Sequence, residues 1–175
     1  MRHPNPIVMN RPAFALVLLA LLFTPLRADP EYKHMGPDIF DPQVSGEELV
    51  DKAIMRARQE HKRIVLFFGA NWCPWCRELH RAFAEDPSVL AALRPSFILV
   101  YIDANTRNDK KRNATVIEHY SNPVKNGLPA LVVLDQDGTQ LTTQETGPLA
   151  GPTDEEVAKR VTAFLAKWAP QAASK

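Results

Sequence analysis

The chain has two cysteines, and they stand three residues apart in Asn71-Trp72-Cys73-Pro74-Trp75-Cys76-Arg77. Residues at that spacing share one face of a helix, close enough for a disulfide to close over a single turn, so the pair reads as a redox switch. Pro74 suits the first position of a helix, where its missing N–H costs nothing, and this puts Cys73 at the helix cap with unpaired backbone N–H groups aimed at its sulfur. A thiolate there is stabilised by those donors and by the positive end of the helix, which makes Cys73 the expected nucleophile. Cys76, one turn further in, is the natural resolving thiol.

The elements around the pair are legible from period and punctuation. Ile64-Val65-Leu66-Phe67-Phe68 is an apolar run rich in β-formers that ends in Gly69-Ala70, and Glu78, Leu79, Ala82 and Phe83 follow with helical spacing: strand, tight loop, helix. Upstream, Ser45-Gly46-Glu47-Glu48 is a capping box that opens a helix with Leu49, Val50, Ala53, Ile54 and Ala57 on one stripe. The basic cluster Arg58, His61, Lys62 and Arg63 closes it and reads as a solvated cap. Downstream, Asp86-Pro87 breaks the chain, and residues 88–94 predict a short helix ending before Pro95. Phe97 to Ile102 then reads as a strand covered on both faces. The polar stretch from Asp103 to Asn113 is expected to be a solvated loop or a helix start, and Thr115 to Tyr120 a helix with Val116, Ile117 and Tyr120 inward. Leu131 to Leu134, the turn Asp135-Gln136-Asp137-Gly138 and the run from Thr139 to Thr146 predict a β-hairpin. A second capping box at Thr153-Asp154-Glu155-Glu156 opens a helix facing inward with Val157, Val161, Phe164, Leu165 and Trp168. This order predicts an α/β fold: a mixed sheet of about four strands with helices on both faces.

Length and composition allow one ordinary domain. Arg2, His3 and Arg11 precede the uncharged block Ala13 to Phe23, which is too short to span a bilayer comfortably but fits the core of a secretory signal. The expected organisation is a signal peptide over 1–28, a leader lying over the surface at 29–44, a domain over 45–170 and a flexible tail at 171–175. Removal of the signal leaves 18 Lys+Arg against 20 Asp+Glu, a balance that does not suggest nucleic acid. Export places the pair where disulfides persist, yet a bridge closing so small a loop stabilises a fold weakly, so its position favours reactivity over stapling. Asn113-Ala114-Thr115 is a glycosylation sequon that matters only in a eukaryotic secretory pathway. With no retention tail at Ser174-Lys175, the expected location is a bacterial periplasm.

The order of elements, Trp72-Cys73-Pro74-Trp75-Cys76 after a buried strand, and Gly127-Leu128-Pro129 before the hairpin resemble the thioredoxin-fold proteins. The likeness covers about residues 45–168 and is nearest to small exported thioredoxin-like proteins with a Gly-Ala-x-Trp-Cys-x-x-Cys segment. The resemblance implies that Pro129 is a cis-proline beside the cysteines and that the backbone of Leu128 pairs with a substrate peptide. It also implies a thiol–disulfide oxidoreductase that works through Cys73 and Cys76, with Pro74 at the substrate rim. Trp72 and Trp75 are candidates for an apolar wall of that rim, the alternative for Trp72 being that it packs on the domain. One departure stands out. Reductases of this family carry a buried Asp six residues before the nucleophilic cysteine, and this chain has Phe67 there. His80, four residues after Cys76, is a candidate to tune the pair or to replace the missing base, or else simply a surface histidine.

No flavin or nicotinamide fingerprint is present, so no cofactor is expected and the partner that resets the pair must be another protein. Substrates are expected to be protein thiols or disulfides, and the mature chain a monomer without stable membrane insertion. Two other classes compete: a metal or iron–sulfur site using Cys73, Cys76 and His80, and a peptide-binding module whose disulfide is inert. A c-type haem is disfavoured because Arg77, not His, follows Cys76.

Overall fold

The central strand is the apolar run that precedes the cysteines. The computed structural model describes residues 32–171. The expected export signal and residues 172–175 of the expected tail lie outside the described residues. Strand β1 (Arg63–Gly69) pairs in parallel with β2 (Phe97–Asp103) and antiparallel with β3 (Ala130–Leu134), which pairs antiparallel with β4 (Gln140–Glu145). The order is β2-β1-β3-β4, the mixed four-stranded sheet that the element order predicts.

Because side chains alternate along a strand, β1 supplies both faces of the sheet. Val65 and Phe67 join Leu131 and Val133 in a core closed by α2 (Pro74–Glu85), α3 (Pro87–Ser96) and α5 (Asp154–Trp168). Ile64, Leu66 and Phe68 face the opposite core, closed by α1 (Gly46–Glu60) and α4 (Ala114–His119). Helices on both faces bury every residue of β1 from Ile64 to Gly69, which accounts for a continuous apolar run instead of alternation.

The helix starts follow their caps. The Ser45 side chain accepts from Glu48 N–H and that of Thr153 from Glu156 N–H. Asp86 caps two helices: its N–H bonds Ala82 O at the end of α2, and its carboxylate accepts from Ser88 and Val89 N–H at the start of α3. One boundary differs from expectation. Helix α3 runs through Pro95 to Ser96, because Phe97 N–H still reaches Leu93 O and closes the last turn around the proline.

Two further expectations are corrected. The segment before α1 does not simply lie over the surface, since Phe40 is fully buried and packs edge-on against Phe67 and Tyr101, each at 5.7 Å between ring centroids. Gly69 makes room for it: a Cβ at that position would stand 2.2 Å from Phe40 Cζ. The stretch after β2 is not a fully solvated loop either. Asp103 and Asn105 are buried, and Asp103 pairs with Arg112 at 3.0 Å. Asn113, in the sequon, accepts from Gly46 N–H at 2.7 Å and donates to Asp103 O at 2.8 Å.

A loose surface leader and a core aromatic differ measurably. Phe40→Ala is expected to cost about 3–5 kcal/mol in urea unfolding, whereas a surface residue would move stability by less than about 0.5 kcal/mol.

Candidate active site

Between the end of β1 and the start of α2 the chain turns in four residues, and each is tied down. Cys73 N–H bonds Ala70 O at 3.0 Å. The buried Asn71 amide accepts from the N–H groups of Ile39 and Phe40 at 2.8 and 2.9 Å and donates to Phe40 O at 2.8 Å. Arg77 returns from the first turn of α2, donating to Asn71 O at 3.0 and 2.8 Å and to Pro37 O at 2.9 Å. The segment before α1 is thus part of the frame of the cysteine loop.

Pro74 is the first residue of α2 and Cys73 is its N-cap, with extended backbone and its sulfur accepting from Cys76 N–H at 3.2 Å. The two cysteines form a disulfide with a Cα separation of 5.2 Å. Both are buried, Cys73 at 3% exposure and Cys76 at 0%. In the oxidised form both sulfur-bearing residues are thus shielded, Cys76 slightly more so.

The Leu128–Pro129 peptide bond is cis, the geometry the resemblance implies, and Leu128 O lies 3.8 Å from Cys73 Sγ. Thr146 Oγ1, just after β4, donates to Pro129 O at 2.7 Å and holds this loop. Between α2 and the loop opens a cavity of about 370 Å³, walled by Trp75, Glu78, Leu128, Pro129, Glu145 and Thr146 among others. Trp75 stands on its rim, 60% exposed.

Trp72 does something else. Its indole N–H donates to Asn105 at 2.8 Å, and the Arg107 guanidinium stacks over its ring at 3.7 Å. Its donor is spent and one face is covered, so its polar and stacking contacts are to the β2–α4 loop. Pro74 is exposed at the start of the helix.

Phe67 sits in an aromatic cluster with Phe40, Phe83 and Tyr101. His80 is half-buried against that cluster: Nδ1 lies 2.8 Å from Tyr101 Oη, and the rings meet edge-on. Burial lowers its pKa from 6.5, opposed by Glu85 and assisted by Arg77, while burial raises that of Tyr101. His80 and the Tyr101 hydroxyl thus share a hydrogen bond away from bulk solvent. For a metal reading, no group of three or more His, Cys, Asp or Glu side chains converges among the described residues.

Sequence reasoning passed over Phe40, Asn71 and Asn105. A lone aromatic in Asp38-Ile39-Phe40-Asp41 was the available signal for the first. Nothing local marks Asn71, whose side-chain partners lie more than thirty residues away, and Asn105 joins a local turn, accepting from Arg107 N–H at 2.9 Å, to the distant Trp72 indole.

A family model described as thioredoxin-like matches residues 47–136, just over half of the chain. The chain belongs to the thioredoxin-like family. It is 30% identical over 104 residues to the thiol:disulfide interchange protein DsbD of Colwellia psychrerythraea, covering 59% of this chain and 16% of that protein. It is also 24% identical over 138 residues to nucleoredoxin of Bos taurus, covering 68% of this chain and 32% of that one. The chain therefore spans only about a sixth of its DsbD relative and a third of nucleoredoxin. Among solved structures, the disulphide isomerase of Xylella fastidiosa Temecula1 aligns with a TM-score of 0.63 at 31% identity, over 74% of this chain and 95% of that chain. That thioredoxin-like neighbour matches almost end to end, so the common fold extends beyond the cysteine motif.

The depressed His80 pKa carries a pH signature. The unfolded chain takes up its proton near pH 6.5 and the folded chain only at lower pH, so stability is full above that value and declines as pH falls below it. An NMR titration of the His80 ring is expected to give a midpoint below 6.5. His80→Gln should shrink the difference in urea midpoint between about pH 7.5 and about pH 5.5.

Proposed function

We propose that this chain is a thiol–disulfide oxidoreductase of protein substrates, with Cys73 as nucleophile and Cys76 as resolving thiol. The observation that carries the reading is the closed Cys73–Cys76 disulfide at the start of α2, lying against the backbone of the cis Leu128–Pro129 loop. A thiolate at the N-cap is stabilised by the Cys76 N–H and by the helix end, which suits it both to attack and to leave.

In the reducing direction the Cys73 thiolate attacks one sulfur of a substrate disulfide. That S–S bond breaks, a mixed disulfide forms, and the other substrate sulfur departs as a thiolate. Cys76 then loses its proton and attacks Cys73 Sγ, breaking the mixed disulfide and releasing the second substrate sulfur, which takes up a proton. Two electrons pass to the substrate and the Cys73–Cys76 bond is left in the enzyme. The reverse sequence oxidises a dithiol substrate. A partner protein bearing a dithiol or a disulfide resets the pair. With Phe67 where a reductase carries an acid, proton transfer at Cys76 runs through solvent or the departing thiolate.

Leu128 and Pro129 form the opposite wall on which a substrate strand pairs, and Pro129 suits that place because it has no N–H of its own. Trp75 offers its exposed indole to the same substrate. The protein is exported to a periplasm through residues 1–28 and works there as a monomer. The apolar block from Ala13 to Phe23 and the likeness to a thiol:disulfide interchange protein support this reading. No helix among the described residues is long and apolar enough to cross a membrane. The domain over 45–170 takes its frame from the preceding segment through Phe40 and Asn71.

The test is substitution at each sulfur. Cys73→Ser is expected to reduce dithiothreitol-coupled insulin reduction to background, and Cys76→Ala to accumulate mixed disulfides with protein substrates in the native compartment. Turnover that survives Cys73→Ser, or an absence of trapped species in Cys76→Ala, would sink the assignment. Peptide binding retained without turnover would point to a binding module instead.

A further inference from the structure

We propose that the cavity beside Pro129 selects protein substrates with a basic residue next to the reacting cysteine, and that Glu78 and Glu145 are the selecting carboxylates. This inference rests on the exchange reading above and adds a substrate class to it.

The cavity has a definite charge. Glu78, one turn after Trp75 on α2, stands on one wall, and Glu145, the last residue of β4, on another. Among the described residues no lysine or arginine lines it. Glu78 forms no ion pair within 4.0 Å among the described residues, although Arg77 and Arg81 flank it on the same helix. Arg77 is turned to the carbonyls of Asn71 and Pro37, and Arg81 pairs with Asp154. Glu145 accepts from the side-chain amide of Asn126, a neutral donor that leaves its charge uncompensated. Glu78 and Glu145 thus line a cavity together with Leu128, whose carbonyl oxygen lies 3.8 Å from Cys73 Sγ.

The rest of the lining suits the body of a basic side chain. Trp75 is 60% exposed on the rim, and Leu79, Leu149 and Val157 supply apolar wall. A lysine or arginine has an aliphatic stem that packs on such a surface and a charged head that an indole face and a carboxylate both attract. On the Trp72 side of the pair the charge is reversed: Arg107, exposed and outside the cavity, stacks on that indole. A cationic residue is therefore drawn to the Pro129 side, and an acidic one is repelled from it. These carboxylates sit at a solvated rim, so their effect is selective and salt-sensitive.

The experiment uses the full mature chain, reduced beforehand, and three disulfide-linked peptides that differ only in the residue flanking one cysteine: lysine, glutamine or glutamate. Each reduction rate is divided by that of the same peptide with free dithiothreitol, which removes the effect of the flanking charge on the peptide's own sulfur. The normalised kcat/KM is expected to be on the order of fivefold to tenfold higher for the lysine peptide than for the glutamate peptide at low ionic strength. The ratio should approach one in about 0.5 M salt, where the screening length is only a few ångströms. It should also approach one in the double variant Glu78→Gln, Glu145→Gln. Equal normalised rates for the lysine and glutamate peptides, or a ratio that the double variant leaves intact, would overturn the selection while reduction of the glutamine peptide upholds the exchange reading. Failure to reduce any of the three peptides would overturn the exchange reading and the selection with it.

Discussion

A sulfur atom caps helix α2, in the place where a serine or aspartate oxygen ordinarily stands. The cap requires Cys73 to have extended backbone while Pro74 already has helical backbone, so the chain must leave β1, turn and enter the helix without slack. Asn71 and Arg77 enforce that turn. The Asn71 amide joins it to residues 39–40, and the Arg77 guanidinium joins its carbonyl to the first turn of the helix. The sulfur is thereby held between a donor, the Cys76 N–H, and a carbonyl, that of Leu128. Cysteine is the only residue that can be both cap and redox centre, which is why the chemistry lies at a helix start.

The sheet makes the turn rigid. Strand β1 is paired on both sides and covered on both faces, and its last residue, Gly69, still pairs with Asp103 of β2. Phe40 fills the space that the missing Cβ of Gly69 leaves and completes an aromatic cluster with Phe67, Phe83 and Tyr101. In this position an ionised carboxylate would be costly without a partner, and the surrounding rings offer none. The cluster and the absence of an acid at position 67 are one fact about packing. His80 packs on that cluster, and its ring nitrogen and the Tyr101 hydroxyl satisfy each other.

Either side of the cysteine pair carries a different surface. Toward β4 lies the cavity with its two carboxylates and an open tryptophan, and toward the β2–α4 loop lies a tryptophan sealed by an arginine. Trp72 and Trp75 are three residues apart in one motif, yet one is structural and the other faces solvent. Their division of labour follows from the helix start: Trp75 is on α2, turned to the cavity, whereas Trp72 is still in the loop and reaches Asn105.

The sequence by itself determined what short-range physics controls. The apolar run into Gly69, the capping boxes at Ser45 and Thr153, Pro74 after Cys73, and the Asp-Gly turn each act within a few residues, so the elements and the place of the disulfide could be read directly. The mixed sheet followed, because parallel strands need a crossover and a hairpin does not. Only the tertiary structure decided matters that depend on residues far apart in the chain. The burial of Phe40 needed Gly69, the commitment of Asn113 needed Gly46, and the sealing of Trp72 needed Asn105 and Arg107. In each case a polar or aromatic side chain in an apparently open segment finds its partner across the fold. No local period encodes such a pairing, since its energy exists only after the sheet has brought the segments together.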